Sequence, residues 1–371
     1  MKILFVGDAS NFHNSLAKAL TDLGHTCVVA SDGTSWMETD RQIDLSRKPG
    51  KIGAIRYLFD VLKALPKMRG FDIVHLVNPI FLNFRPERVK PIFKYLRRNN
   101  GKIFLSALGT DYAYVHTCYD GQTFRYSDYM VGDKLSPYII NQEDKRQGNW
   151  FLPLLHDYHN YIIDNIDGVI ACLYEYYTAY ASKIPEKLGY GGIPIDTAAL
   201  SPNFIEEEPE KVKFFIGIQK KRTILKGTDL LLEAARQVQA DFPDSMELKV
   251  VENMPYAEYV KCMRESHVIL DQLYSYTPST NALLGMAQGL IAVSGAEPEF
   301  YNFIGEKDCK PIINVSPLVE NDIYNKLVWI IKNKSQLPRL SRQSREFVEK
   351  HNESQIVAQR HIDFWNKISK P

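Results

Sequence analysis

Short apolar runs rich in β-branched residues alternate with helix-periodic segments along the whole chain, and that alternation leaves few folds open. "KILFV", "CVVAS", "IVHLV", "KIFLSA" and "GVIACL" are apolar throughout rather than at every second residue, as strands buried on both faces must be. Between them lie segments such as "NSLAKALTDLGH", whose apolar positions recur at helical spacing. Parallel, doubly wound α/β sheets follow from that pattern.

The pattern breaks at residues 190 to 211, "YGGIPIDTAALSPNFIEEEPEK", where glycines, prolines and an acidic run read as a linker. A second series then begins, with "VKFFIGI", "ELKVV", "HVILD", "LIAVSG" and "PIINV" as its strands. With 371 residues, two domains of ordinary size are expected. We place an N-terminal Rossmann-like domain over 1–195, a C-terminal one over 196–350, and a last helix over 351–371 that turns back toward the N-terminal domain. Phe364 and Trp365 anchor that helix on a domain surface. Two such sheets facing a cleft hold ligands at the carboxyl ends of their strands.

Composition narrows the function. Lys and Arg number 45 against 44 Asp and Glu, so no overall positive field draws the chain to nucleic acid. Cys27, Cys118, Cys172, Cys262 and Cys309 lie far apart, at neither zinc nor redox spacing. With no Asp-x-Asp triplet either, no metal and no cofactor is expected. A reducing, cytoplasmic setting fits. Asp8 ends the first apolar run too early for a signal peptide, and no stretch of about 18 apolar residues is present to span a bilayer. The near-neutral charge leaves peripheral contact with the inner membrane face open.

The most informative segment is "FFIGIQKKRTILKGTDLLLEAARQV". A strand carrying Gly217 near its end delivers Lys220, Lys221 and Arg222 into a loop, and Lys226 with Gly227 opens a helix. Cations at a helix start oppose the helix dipole. Either they form a solvated run, or an anion sits there, held by first-turn N–H groups, Arg222 and Lys226. A second helix start is rich in hydroxyls: Thr277, Pro278, Ser279 and Thr280 lead into the apolar "NALLGMAQG". Ser279 or Thr280 is its N-cap, and a diphosphate, aided by Asn281, would satisfy the buried N–H groups. An ordinary capped core helix is the alternative.

In the N-terminal domain, Gly7 permits close backbone approach. Ser10, Asn11 and His13 touch a donor phosphate or acceptor, or else Ser10 and Asn11 simply open a helix. Asp111 orients an acceptor hydroxyl or donor sugar, or caps a loop. His75, inside an apolar strand, reads as a core histidine. The Tyr-, His- and Asp-rich insertion from 112 to 160, with His116, His156 and His159, is the expected acceptor-recognition region.

Taken in order, these motifs resemble the retaining nucleotide-sugar glycosyltransferases of the GT-B fold, the large group that includes bacterial lipopolysaccharide and capsule enzymes. "MKILFVGDASNFHNSLAKALTDLGHTCVVAS" is similar to the family's first strand, glycine turn and helix. "FDIVHLVNP" is similar to its next strand, "LGTD" to its "HGSD" element, and "IPIDTAALSP" to its crossover. "FFIGIQKKRTILKGTDLLLEA" resembles its Arg…Lys-Gly phosphate loop, and "LLGMAQGLIAVSGAEPE" its "EAMA-x-G-x-P-V…PE" segment. The chain departs from the family where two glutamates separated by seven residues are usual: Tyr276 and Leu284 stand there. Asn281, Asp271 or Glu297 is expected to substitute.

The resemblance implies a metal-independent, retaining transferase that binds a nucleotide diphosphate sugar and a glycan or lipid-linked acceptor. Arg222, Lys226 and Asp111 would serve catalysis, and Gly7, Ser10, Asn11, Gly217, Ser279, Thr280, Asn281 and Glu297 the donor. A catalytically inactive GT-B scaffold is the competing reading, and a nucleotide-sugar 2-epimerase the third.

Overall fold

The computed structural model describes residues 1–34, 37–141 and 151–369. The chain begins with β1 (Lys2–Val6), α1 (Phe12–Asp22), β2 (Thr26–Ser31), β3 (Ile43–Asp44), α2 (Gly50–Ala64), β4 (Ile73–Leu76), α3 (Pro86–Asn99) and β5 (Lys102–Ala107). There follow α4 (Tyr112–Tyr119), β6 (Met130–Val131), β7 (Lys134–Leu135), α5 (Pro137–Ile140), α6 (Pro153–Asn165), β8 (Gly168–Ala171), α7 (Tyr174–Ala181) and β9 (Leu188–Tyr190). The second series is β10 (Val212–Ile218), α8 (Thr223–Lys226), α9 (Thr228–Asp241), β11 (Met246–Glu252), α10 (Tyr256–Arg264), β12 (Val268–Leu270), α11 (Thr280–Ala287) and β13 (Ile291–Ser294). It closes with α12 (Pro298–Phe303), β14 (Ile313–Asn314), α13 (Asp322–Lys332), α14 (Leu337–His351) and α15 (Ser354–Ser369).

Two compact units result. The first comprises Met1–Val115, the described part of Arg146–Pro194, and Ser354–Pro371 as far as it is described; the second comprises the described part of His116–Lys145 together with Ile195–Glu353. The boundary therefore differs from a single division near 195, because residues 116–141 of the insertion belong to the second unit while 151–160 belong to the first.

In the first unit a seven-stranded sheet runs in the order β3-β2-β1-β4-β5-β8-β9, with every pair parallel. Chain order reverses between β1 and β4. Ile3 to Val6 are fully buried, as doubly covered strands require. Helix α15 lies beside α1, and its Trp365 is 1 % exposed. Two glycines make room for it: a Cβ on Gly189 would stand 2.5 Å from the Phe364 ring and one on Gly168 2.8 Å. Leu188–Tyr190, which overlaps the expected linker at Tyr190, is thus an edge strand whose glycine admits a ring.

The second sheet is five-stranded and parallel, in the order β11-β10-β12-β13-β14, and reverses between β10 and β12. Phe214, Ile216, Leu270, Val293 and Leu327 lie in its core. Helix α11 lies close to β12, since a Cβ on Gly285 would come within 2.9 Å of Ile269. That approach explains the small, uncharged "GMAQG": the helix is buried on the sheet and has no solvent face to charge.

Residues 116–141 of the insertion fold onto the second unit. Their β6–β7 hairpin pairs Met130 with Leu135, and α5 packs beside α8. Residues 142–150 of the insertion lie outside the described residues.

Candidate functional site

The polar residues of the second unit gather where open α/β sheets bind ligands, at the carboxyl ends of β10 and β12 where strand order reverses. Asp271 follows β12 directly and its side chain is fully buried. Four side chains converge on it. Lys226 places Nζ 3.5 Å from Oδ1, and Asn281 donates to the same oxygen at 3.3 Å. Ser279 and Ser294 donate to Oδ2 at 3.1 and 3.4 Å. Tyr259 holds the other end of Asn281, donating to Oδ1 at 2.7 Å. Each hydrogen bond to a charged carboxylate is worth about 1.5–3 kcal/mol, so the network fixes its members.

This geometry revises the reading of several residues. Ser279 is the N-cap of α11 by position but makes no side-chain cap; its hydroxyl goes to Asp271 instead. Thr280 is the first residue of that helix. Gly217 serves Tyr259, whose hydroxyl would lie 2.2 Å from a Cβ there, rather than opening space for a donor. Lys226 closes the short helix α8, and Gly227 follows at φ +69°, a left-handed turn made tight by Leu273, 2.8 Å from an added Cβ. Arg222 stands exposed on the same loop and forms no ion pair among the described residues, while Lys220 pairs with Glu252 at 3.2 Å.

Glu297 does not join the network. It is buried, and Tyr126 and Asn314 donate to Oε1 at 2.6 and 3.0 Å while Arg125 donates to Oε2 at 2.7 Å. Burial pushes its pKa up, but the bonds from Asn314, Tyr126 and Arg125 outweigh that and hold it below the usual carboxylate range. Its role is to seat the insertion, so it is no substitute for the missing acids. The insertion also covers Tyr276: Phe124 and Tyr126 lie 5.4 and 5.0 Å from its ring, and the Arg125 amide donates to its hydroxyl at 2.7 Å. Residues expected to recognise an acceptor in the N-terminal domain thus pack on the second unit.

In the first unit, Gly7 follows β1 at φ +78°, where a Cβ would strike Val77 at 2.4 Å. Ser10 and Asn11 follow at φ 52° and 64°. Consecutive left-handed residues other than glycine store strain, which persists where the surrounding structure holds it. Asn11 is bound within its own turn, donating to Ser15 and accepting from Asn14. Ser10 is exposed.

His13 is fully buried. Its Nδ1 lies 2.6 Å from the Gly7 carbonyl, so the proton sits on Nδ1, and Nε2 accepts from the Ser106 hydroxyl at 3.0 Å. Ser106 is left to accept from His75 Nε2 at 3.2 Å, so His75 is the core histidine its strand suggests. Asp111 is also internal. One oxygen accepts the Tyr114 amide at 2.9 Å, capping α4, and the other the Tyr180 hydroxyl at 2.6 Å. Burial raises its pKa against these bonds. The cap and the Tyr180 bond engage both oxygens, so Asp111 has a structural part that its sequence position did not show.

Of the residues singled out in the sequence, the structure brings Lys226, Asp271, Ser279 and Asn281 together. Sequence reasoning missed Tyr259 and Ser294 and undervalued Asp271. The one available signal was an acid ending the apolar run "HVILD".

No protein-family model matches the chain, and no curated protein matches it in sequence. Solved structures match it in fold. Sucrose-phosphate synthase from Thermosynechococcus elongatus has a TM-score of 0.65 at 12% identity over 99% of each chain. Anabaena HepE in complex with UDP and glucose gives 0.59 at 10% identity, again over 99% of each chain. A glycosyltransferase from Rickettsia africae gives 0.57 at 13% identity over 100% of this chain and 98% of that one. The fold shared with these proteins is GT-B, two Rossmann-like α/β domains.

Proposed function

We propose that this GT-B chain moves a sugar from a nucleoside diphosphate sugar to a glycan or lipid-linked acceptor, with retention of configuration and without a metal ion. The observation that carries the reading is the placement of Lys226 at the switch point of the second sheet, held by Asp271 beside the start of α11. An anion there meets a cation and first-turn N–H groups of α11 whose cap hydroxyl is engaged elsewhere. The exposed Arg222 adds a second charge from the same loop. Together they neutralise a departing diphosphate, which is electrostatic stabilisation of the leaving group and needs no protein nucleophile.

Asp271 answers the absence of the family's two glutamates in a particular way. Its oxygens are taken by Lys226, Ser279, Asn281 and Ser294, so it positions these groups rather than touching the donor. Anabaena HepE, similar in fold, was solved with UDP and with UDP-glucose, which makes UDP the first nucleotide to try.

A second reading, a module that binds nucleotide without turning it over, is favoured by the cover over Tyr276. Calorimetry with UDP, GDP, ADP, CMP and TDP on the native protein and Lys226→Ala separates the outcomes. Selective binding lost in the variant supports the donor site, and turnover of the matching nucleotide sugar then distinguishes enzyme from binding module. Absence of binding across the panel sinks both.

A further inference from the structure

Helix α2, "GKIGAIRYLFDVLKA", has two apolar stripes where one would suffice. Gly53, Tyr57, Val61 and Ala64 are buried and dock the helix on the first unit. Ile52, Ile55, Phe59 and Leu62 form a second stripe at helical spacing and are 84%, 60%, 62% and 48% exposed. Four large apolar side chains in one row on the outside of a helix mark an interaction surface.

The charge around the stripe is one-sided. Between residues 47 and 69 there are seven Lys or Arg and a single acid, Asp60, in a chain whose net charge is +1. Asp60 is itself 3.9 Å from Arg56. By helical spacing Arg56 and Lys63 flank the apolar row on one side and Lys51 on the other, and all three are exposed.

We infer that α2 is an interfacial helix that seats the first unit on an anionic lipid surface. The row enters the headgroup–acyl boundary, and the flanking ammonium and guanidinium groups meet lipid phosphates. The charge pattern argues for this occupant over others. A second copy of the chain, meeting this face symmetrically, would oppose the same cations to each other. Nucleic acid would use the cations but leave the four apolar side chains in water.

The helix is tied to the carboxyl edge of the first sheet. Tyr57 accepts the Asn83 amide at 3.1 Å, and Arg47 donates to the Asn83 carbonyl at 2.9 Å, in the loop after β4. The inference stands apart from the sugar-transfer reading. Were that reading correct, a lipid-linked acceptor would arrive from the same surface.

Sedimentation of the full chain with vesicles tests it. Binding is expected to vesicles of equimolar phosphatidylcholine and phosphatidylglycerol and to fall away on phosphatidylcholine alone. Replacing apolar side chains in Ile52→Ser/Phe59→Ser should weaken binding on the order of tenfold for each side chain removed. Lys51→Glu/Lys63→Glu should weaken it about as much, and native binding should decline with salt. These positions are exposed, so the melting temperature should stay unchanged. Phe59→Trp supplies a direct reporter whose emission should shift to the blue on mixed vesicles. Lack of binding to mixed vesicles overturns the inference. So does equal binding by Ile52→Ser/Phe59→Ser, which would reduce the surface to a general polyanion site, or a concentration-dependent dimer in sedimentation velocity that the same variant abolishes.

Discussion

Acidifying the protein from neutrality to about pH 5 should remove at least about 3 kcal/mol of stability from the first unit, through three fully buried histidines. His13, His75 and His361 are each 0 % exposed, with His75 lying 5.4 and 5.5 Å from the other two rings. Burial lowers the pKa of His13 to about 3 and of His361 to about 4, and holds His75 well below its ordinary value. The unfolded chain takes protons at these positions near pH 6.5 and the folded one does not. Stability is therefore intact above that pH and is lost as pH falls toward the folded values. Each pH unit in the window costs about 1.4 kcal/mol per histidine, hence about 4 kcal/mol for His13 and His361 by pH 5, and His75 adds to the loss in the same direction.

Asp8 opposes the loss. Burial raises its pKa to about 6, so the folded state takes that proton first and regains about 1 kcal/mol over the same range. The side chains around the cluster include the neutral Ser106, Phe5, Phe12, Phe104 and Trp365, with Arg360 depressing His361 further. Domains are stable by about 5–15 kcal/mol, so the net effect is large. Urea unfolding followed by tryptophan fluorescence at several pH values measures it, and His361→Leu should flatten the slope by about a third to a half. A midpoint constant down to about pH 5, or an unaltered slope in the variant, refutes the reasoning.

Three further outcomes are expected. Asp271→Asn should weaken nucleotide binding about tenfold by releasing Lys226, measured by calorimetry below the melting temperature; unchanged affinity in a less stable protein would leave Asp271 a merely structural role. Tyr126→Phe should destabilise the second unit by about 2 kcal/mol, because it strips a donor from the buried Glu297, and a double-mutant cycle with Glu297→Gln should recover the coupling. Gly189→Ala should cost about 1–3 kcal/mol and speed hydrogen exchange in α15, since the new methyl meets the Phe364 ring; an unchanged melting temperature would count against that packing.

Both sheets were legible because doubly covered parallel strands leave continuous apolar runs, as in Ile3 to Val6. Leu188–Tyr190 was not, because Gly189 and Gly191 look like loop residues until Phe364 and His361 are seen pressing on them from the last helix. The phosphate loop could be found from its cations. Its partner could not, since nothing local ties Lys226 to Asp271. His13 looked accessible for the same kind of reason: its sequence neighbours are polar, and α15, which lies beside α1 and brings His361 into its ring cluster, is distant in the chain. Aromatic density in the insertion suggested recognition, but long-range bonds such as Tyr126–Glu297 and Arg125–Tyr276 assign residues 116–141 to the second unit.

The placement of α15 has a consequence for how the protein is made. Trp365 and Val357 fill the core of a unit that begins at Met1, so the first half of the chain cannot complete its interior while the ribosome is still synthesising the second. The usual order, in which an N-terminal domain folds as a unit during synthesis, is therefore closed to this chain. Until residues 354–369 emerge, the surface that Phe364 and Trp365 later cover stays open to solvent and to chaperones, and a truncation before Ser354 should leave a nascent-like, aggregation-prone first unit.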